Sequence, residues 1–163
     1  MGRAGSGSGG RGDSVTAIAD ATGAHGERLM TLDELIAFGE SLGRGLTAVV
    51  PRVVTLSGDL GAGKTTLTRA IARGFGVLEP VTSPTFALVH EYRATGGRLF
   101  HLDLYRLQGP HELANIGWEE LLAVHALLII EWPDRAGALV PDNALAITLA
   151  HVAADESRRK VTW

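Results

Sequence analysis

Gly58-Asp59-Leu60-Gly61-Ala62-Gly63-Lys64-Thr65 follows the pattern G-x-x-x-x-G-K-[ST], and its reading decides the fold. Glycines let the backbone turn sharply and approach a polyphosphate that a Cβ would obstruct. The loop N–H groups and the N-terminus of the following helix point at negative charge. In this reading Lys64 reaches the β- and γ-phosphates, and the Thr65 hydroxyl ligates Mg²⁺. At this glycine content the pattern arises by accident in roughly one chain of this length in fifty, so its flanks must decide. Before it, Val53-Val54-Thr55-Leu56-Ser57 is a β-branched run suited to a buried strand. After it, Leu67, Ala70, Ile71 and Phe75 recur at helical spacing and Gly76 marks a stop. Strand, loop and helix in that order identify a phosphate loop.

The remaining elements are read outward from this unit. Thr31-Leu32-Asp33-Glu34 is a capping-box pattern, followed by Leu35, Ile36, Phe38 and Leu42. It predicts a helix over 31–44, ended near Gly43 and Gly45. Residues 81–85 are turn-like, because Pro84 disfavours helix at Ser83. Phe86 to Arg93 reads as extended, Gly96-Gly97 as a hairpin turn, and Arg98 to Leu104 as the returning strand. Pro110 can open a short helix and Trp118 to Val124 suggests another. Leu127 to Glu131 is an apolar strand ending in an acid. Ala144 to Val152 and Arg158 to Trp163 alternate as a closing hairpin. The expected fold is α/β: a single P-loop NTPase domain over residues 27–163, with a mixed, mostly parallel β-sheet flanked by helices. Residues 1–26 are rich in Gly, Ser, Ala and Thr and read as a flexible tail.

With 163 residues the chain can bury one real core. Its net charge of −3 argues against gripping nucleic acid alone, because phosphate neutralisation needs a basic face. Cysteine is absent, which rules out disulfides and thiolate metal sites. The apolar run from Ala126 to Ile130 is too short to span a bilayer. A cytoplasmic location is the expectation. Lysine occurs only at Lys64 and Lys160, so one of two lysines sits where the loop demands it.

A nucleotide-bound Mg²⁺ usually needs a carboxylate beyond the loop hydroxyl. Glu131 ends a buried strand, where a charge is costly unless a metal or partner satisfies it; otherwise it emerges into water. Alternation puts His101, Asp103 and Tyr105 on one face of their strand and Phe100, Leu102 and Leu104 on the other. Asp103 could then bind Mg²⁺ through water or position the attacking water; the other reading is a solvated strand face. His101 alone reads as structural. Tyr105 and Arg106 are either rim or solvated surface. Asp59 either orients water or caps the turn. Ser83-Pro84-Thr85 reads as a loop sensing the γ-phosphate or as a rigid turn. Trp132 should point to the side of the strand opposite Glu131, beside the nucleotide, in a partner contact or in the core.

Together these segments closely resemble the TsaE (YjeE) family of bacterial P-loop ATPases. The resemblance is carried by Gly58 to Thr66, Ser83-Pro84-Thr85-Phe86 with Leu88-Val89 and Tyr92, and His101-Leu102-Asp103-Leu104-Tyr105-Arg106-Leu107. Glu112-Leu113, Gly117 and Glu131-Trp132-Pro133 extend it over residues 30–160. It implies an ATP-hydrolysing subunit, weak alone, required for N6-threonylcarbamoyladenosine (t6A) at position 37 of tRNA. Its implied partners are the TsaD/TsaB transferase pair, with TsaC supplying threonylcarbamoyl-adenylate; tRNA is met only through the complex and no membrane is involved. The implied cofactors are ATP, with ADP as product, and Mg²⁺. By match, Lys64, Asp103 and Glu131 are catalytic, and Thr65, Asp103 and Glu131 hold the metal. Thr31, Asp59, Leu60, Gly61, Ala62, Gly63, Lys64, Thr65, Thr66 and Trp132 contact the nucleotide, with Arg158-Arg159 a looser match. A longer basic C-terminal extension found in some members is missing. A guanine-nucleotide switch would need N-K-x-D, which does not occur. The rival enzyme is a P-loop small-molecule kinase, whose Arg-rich lid and acceptor-binding segment are not convincing here. A non-enzymatic, nucleotide-dependent binding module is the other alternative.

Overall fold

The computed structural model describes residues 25–46, 52–84 and 86–163. Seven strands form one sheet, ordered β1-β7-β6-β2-β5-β4-β3. β2 (Arg52–Ser57) lies at its centre, parallel to β5 (Leu127–Glu131) on one side and to β6 (Leu145–His151) on the other. β5 in turn runs parallel to β4 (Gly97–Asp103). The margins are antiparallel: β3 (Val89–Ala94) on β4, β7 (Arg158–Thr162) on β6, and β1 (Glu27–Thr31) on β7. The sheet is therefore mixed, as expected, with its parallel part in the middle. Every residue of β5 is buried, which is why Leu127 to Glu131 carries no alternation in the sequence.

Two helices cover one face. α1 (Leu32–Leu46) and α2 (Lys64–Phe75) pack over Val54, Leu56, Leu99, Leu127 and Ile129. On the opposite face Phe100, Leu102, Leu128 and Ile130 pack with Leu113, from the 3₁₀ helix Pro110–Ile116, and Trp118, from α3 (Trp118–Ala123). His101, Asp103 and Glu131 share the α1/α2 face with Leu99 and Ile129, at the C-terminal ends of their strands. Register pairs Leu56 with Glu131 and Asp103 with Glu131, so three strand ends stand in one row.

Several local readings change. The helix expected over 31–44 spans Leu32–Leu46, so it passes through Gly43 and Gly45. A Cβ at Gly43 would stand 2.1 Å from the Ile71 carbonyl oxygen, so this glycine serves a close helix crossing instead of a stop. The extended run begins at Val89 instead of Phe86, because Phe86 and Ala87 form a turn and Leu88 has φ 63. Thr85 lies outside the described residues, as do residues 1–24, where the flexible tail is expected. Gly26, also assigned to that tail, exchanges two backbone hydrogen bonds with Trp163, at 2.7 and 2.9 Å. β1 was not foreseen. Its residues Glu27, Arg28 and Leu29 are exposed and Met30 is its one fully buried side chain, so it shows no hydrophobic pattern. Backbone pairing to β7 makes it a strand.

Candidate functional site: a phosphate-loop cleft

The loop leaves β2 at Ser57 and enters α2 at Lys64. Gly63, the residue at the helix start, has φ 107, and no side chain caps the helix. α2 also carries no acid in its first turn. Its N-terminus therefore faces outward with its dipole uncompensated, which suits an anion. A cleft of about 380 Å³ opens there. Leu60, Gly61, Gly63, Lys64, Thr65 and Thr66 line it from the loop side; Asp103, Tyr105, Glu131 and Trp132 line it from the ends of β4 and β5, and Ser83 from the 81–84 segment.

Lys64 is buried, 5% exposed. Its ammonium donates to the carbonyls of Gly58 at 2.6 Å and Asp59 at 2.8 Å, and lies 4.0 Å from the centroid of the Trp132 ring. Burial pushes its pKa below the ordinary lysine value, while the charges of Glu131, Asp103 and Asp59 oppose that shift. An ammonium so placed gains from an added anion.

Glu131 is the hub of the site and is 2% exposed. Its Oε2 accepts from the Thr65 hydroxyl at 3.1 Å. Its Oε1 accepts from the Thr68 hydroxyl and from His101 Nε2, each at 2.9 Å. His101 is fully buried, so the polar face of β4 is not a solvated one. The sequence could not show this, because a polar alternate face looks the same whether it meets water or another polar cluster. Asp103 is also buried; its Oδ2 accepts from the Ser83 hydroxyl at 3.2 Å and its Oδ1 from the Tyr105 N–H at 3.1 Å. The 81–84 segment is thereby tied to the site through Ser83.

Trp132 packs against the hydrophobic cluster on the sheet face opposite Glu131, the side that alternation assigns it. Its φ of 59 turns the chain out of the strand there. The ring also covers Lys64 and lies 4.9 Å from the Tyr105 ring, beside the cleft. Arg106 stacks on exposed Phe86, 4.3 Å from the ring centroid, beyond the cleft lining.

Thr31, Asp59 and Ala62 do not line the cleft. Thr31 is engaged in the capping box: its N–H donates to Glu34 Oε2 at 2.8 Å, and its Oγ1 accepts from the Glu34 N–H at 3.3 Å. Asp59 is exposed and contributes its carbonyl to Lys64. Ala62 is fully buried, and its N–H closes the loop turn onto the Asp59 carbonyl at 3.1 Å. Arg158 pairs with Asp155, and Arg159 borders a different cleft with His151 and Glu156. Thr68 is the site residue that reading the sequence missed. The available signal was position: Thr68 follows Lys64 by four residues and Thr65 by three, on one side of α2.

The donor set suits Mg²⁺. Thr65 and Glu131 offer two hard oxygens 3.1 Å apart at the cleft, and Mg²⁺ takes few protein ligands beside phosphate and water. Among the described residues no group of three or more His, Cys, Asp or Glu side chains could hold a metal alone, so the nucleotide would have to supply ligands. No described helix is long and apolar enough to cross a membrane.

A family profile described as "Threonylcarbamoyl adenosine biosynthesis protein TsaE" matches residues 29–161. The tRNA threonylcarbamoyladenosine biosynthesis protein TsaE of Haemophilus influenzae is 40% identical over 97 residues, which are 60% of this chain and 61% of that one. The protein of the same name from Nostoc is 43% identical over 111 residues, 64% of this chain and 63% of that one. The chain thus spans a little over three fifths of these two relatives. The crystal structure of Bacillus subtilis YdiB superposes with a TM-score of 0.65 at 28% identity, covering 85% of this chain and 84% of that one. With the profile extending from β1 through β7, the chain belongs to the TsaE family.

Proposed function

We propose that this chain binds ATP with Mg²⁺ and hydrolyses it as a subunit of the machinery that makes t6A at position 37 of tRNA. The observation that carries this is the Thr65–Glu131 oxygen pair, 3.1 Å apart at an uncapped loop helix, in a member of the TsaE family. The relatives' names supply the tRNA product. The expected partners are TsaD and TsaB, and the place of action is the cytoplasm.

The residues divide the work. Loop N–H groups and Lys64 hold phosphate; Thr65 and Glu131 hold the metal; Trp132 belongs to the nucleotide's surroundings, and Thr31, outside the cleft lining, approaches the nucleotide only at its far end. When bound, Mg²⁺ neutralises charge building up on the phosphates. Asp103, fixed on both oxygens by Ser83 and Tyr105, orients the attacking water. Phosphoryl transfer of this kind needs positioning and charge stabilisation and little covalent chemistry.

Depletion of the protein, followed by mass spectrometry of tRNA nucleosides, tests the assignment. Loss of t6A, restored by the native chain and not by Lys64→Ala, is expected; intact t6A after depletion would overturn it. Thin-layer analysis of γ-labelled ATP separates hydrolysis from the kinase reading: label must appear as free phosphate and not on a metabolite.

A further inference from the structure

We infer that Thr68 and His101 are positioning residues that hold one oxygen of the Glu131 carboxylate and so orient the other toward the metal. The inference rests on the nucleotide and Mg²⁺ reading above. A carboxylate has about four acceptor directions, two on each oxygen. On Oε1 both are taken, by Thr68 Oγ1 and His101 Nε2 at 2.9 Å each. On Oε2 one is taken by Thr65 at 3.1 Å. The remaining direction belongs to Oε2, beside the Thr65 hydroxyl and facing the cleft.

Both anchors are held in turn. Thr68 is fully buried on α2, and its hydroxyl also stands 3.1 Å from the Lys64 carbonyl. A hydroxyl carries one proton, and the shorter contact to the carboxylate takes it. His101 is fully buried on β4, and its Nδ1 meets no hydrogen-bond partner among the described residues. Its ring proton therefore sits on Nε2, where it has an acceptor. One donor comes from the loop helix and the other from the strand beyond β5. A partial turn of the Glu131 carboxylate about its final torsion strains both of these buried hydrogen bonds, and a half turn only exchanges its two equivalent oxygens, so the group presents one free oxygen direction to the cleft in a fixed plane. Thr68 and His101 contact neither nucleotide nor metal in this arrangement; they act through Glu131.

The test is calorimetric titration of the full chain with AMP-PNP, at a series of MgCl₂ concentrations and in EDTA. In Thr68→Val and His101→Leu, which each remove one donor to Glu131 Oε1, the half-saturating Mg²⁺ concentration should rise about tenfold, the low end for losing an outer partner of a metal ligand. Affinity in EDTA should stay within about twofold of the native chain, and Thr68→Ser should restore the Mg²⁺ response. In ATPase assays the shift should appear in the KM for Mg²⁺ more than in kcat at saturating metal. If both variants melt lower but keep the native Mg²⁺ response, the two residues are merely structural and the inference falls. Should Thr68→Val not fold, His101→Leu decides: a native Mg²⁺ response in that variant overturns the inference. Failure of the native chain to bind AMP-PNP at all would instead overturn the proposed function.

Discussion

Replacing Gly43 by alanine should destabilise the protein, although alanine is the better helix former by about 1 kcal/mol. The reason is the crossing of α1 and α2. A Cβ at Gly43 would lie 2.1 Å from the Ile71 carbonyl oxygen and 2.8 Å from the Phe75 nitrogen. Ordinary contact begins at 3.4 Å, so the helices would have to separate by about 1.3 Å. Gly74 mirrors this from the other helix, with a Cβ 2.0 Å from the Glu40 carbonyl. At Gly39 the obstacles are side-chain atoms, Ala70 Cβ at 2.6 Å and Leu67 Cδ1 at 2.9 Å. Overpacking of a close-packed interior costs about 1–3 kcal/mol, and contact with rigid backbone belongs at or above the upper end. Subtracting the propensity gain leaves roughly 2 kcal/mol for Gly43→Ala and for Gly74→Ala, and less for Gly39→Ala. For a domain of this size that is a fall in Tm of about 4–8 °C. Urea and thermal denaturation of the three variants give the ranking. Because α2 carries Lys64, Thr65 and Thr68, nucleotide affinity should weaken along with stability in Gly43→Ala. A Gly43→Ala chain as stable as the native one, or more stable, would refute the close crossing and return Gly43 to the role of a helix stop.

Three further outcomes are expected. Lys64→Met should weaken ATP binding about 10–100-fold, since hydrogen bonds to charged groups contribute about 1.5–3 kcal/mol. Trp132 emission should change as well, because the ammonium 4.0 Å from its ring is gone; unchanged calorimetric affinity would count against Lys64 as the phosphate ligand. Asp103→Asn should keep nucleotide affinity while phosphate release falls about 10²-fold or more, whereas equal hydrolysis would remove Asp103 from the reaction. The Glu34 carboxyl is held below its ordinary value of 4.5, first by the Thr31 N–H and then by its hydroxyl. A depressed carboxyl pKa gives stability that is present above 4.5 and lost as pH falls through the lower folded value. Melting curves from pH 6 to pH 3 should therefore fall more steeply for the native chain than for Glu34→Gln, and parallel curves would show that the capping box contributes no pH dependence.

The degree to which this site could be read in advance follows from how local its chemistry is. Gly58 to Thr65 is contiguous, and each fixed position of the pattern answers to one physical demand, so eight letters define loop and helix start. Glu131 was legible because an acid closing four apolar residues is costly anywhere except at a strand end with a partner. The capping box at Thr31 and Glu34 was legible for the same reason: both partners lie within one turn. What stayed hidden depends on pairings distant in sequence. β1 owes its existence to β7, more than a hundred residues later, and shows only Met30 to the core. The burial of His101 depends on α2 and β5 closing over it. Gly43 has the same letter whether it ends a helix or admits another, and the backbone of Ile71 decides between them. Thr68 combines both limits: it is a poor helix former in a helix interior, explained once Glu131 is seen beneath it. A polar residue that weakens its own element's propensity and lies one turn from a recognised site residue is therefore worth reading as part of that site. In this chain that criterion leads from Lys64 to Thr68, and through Glu131 to His101.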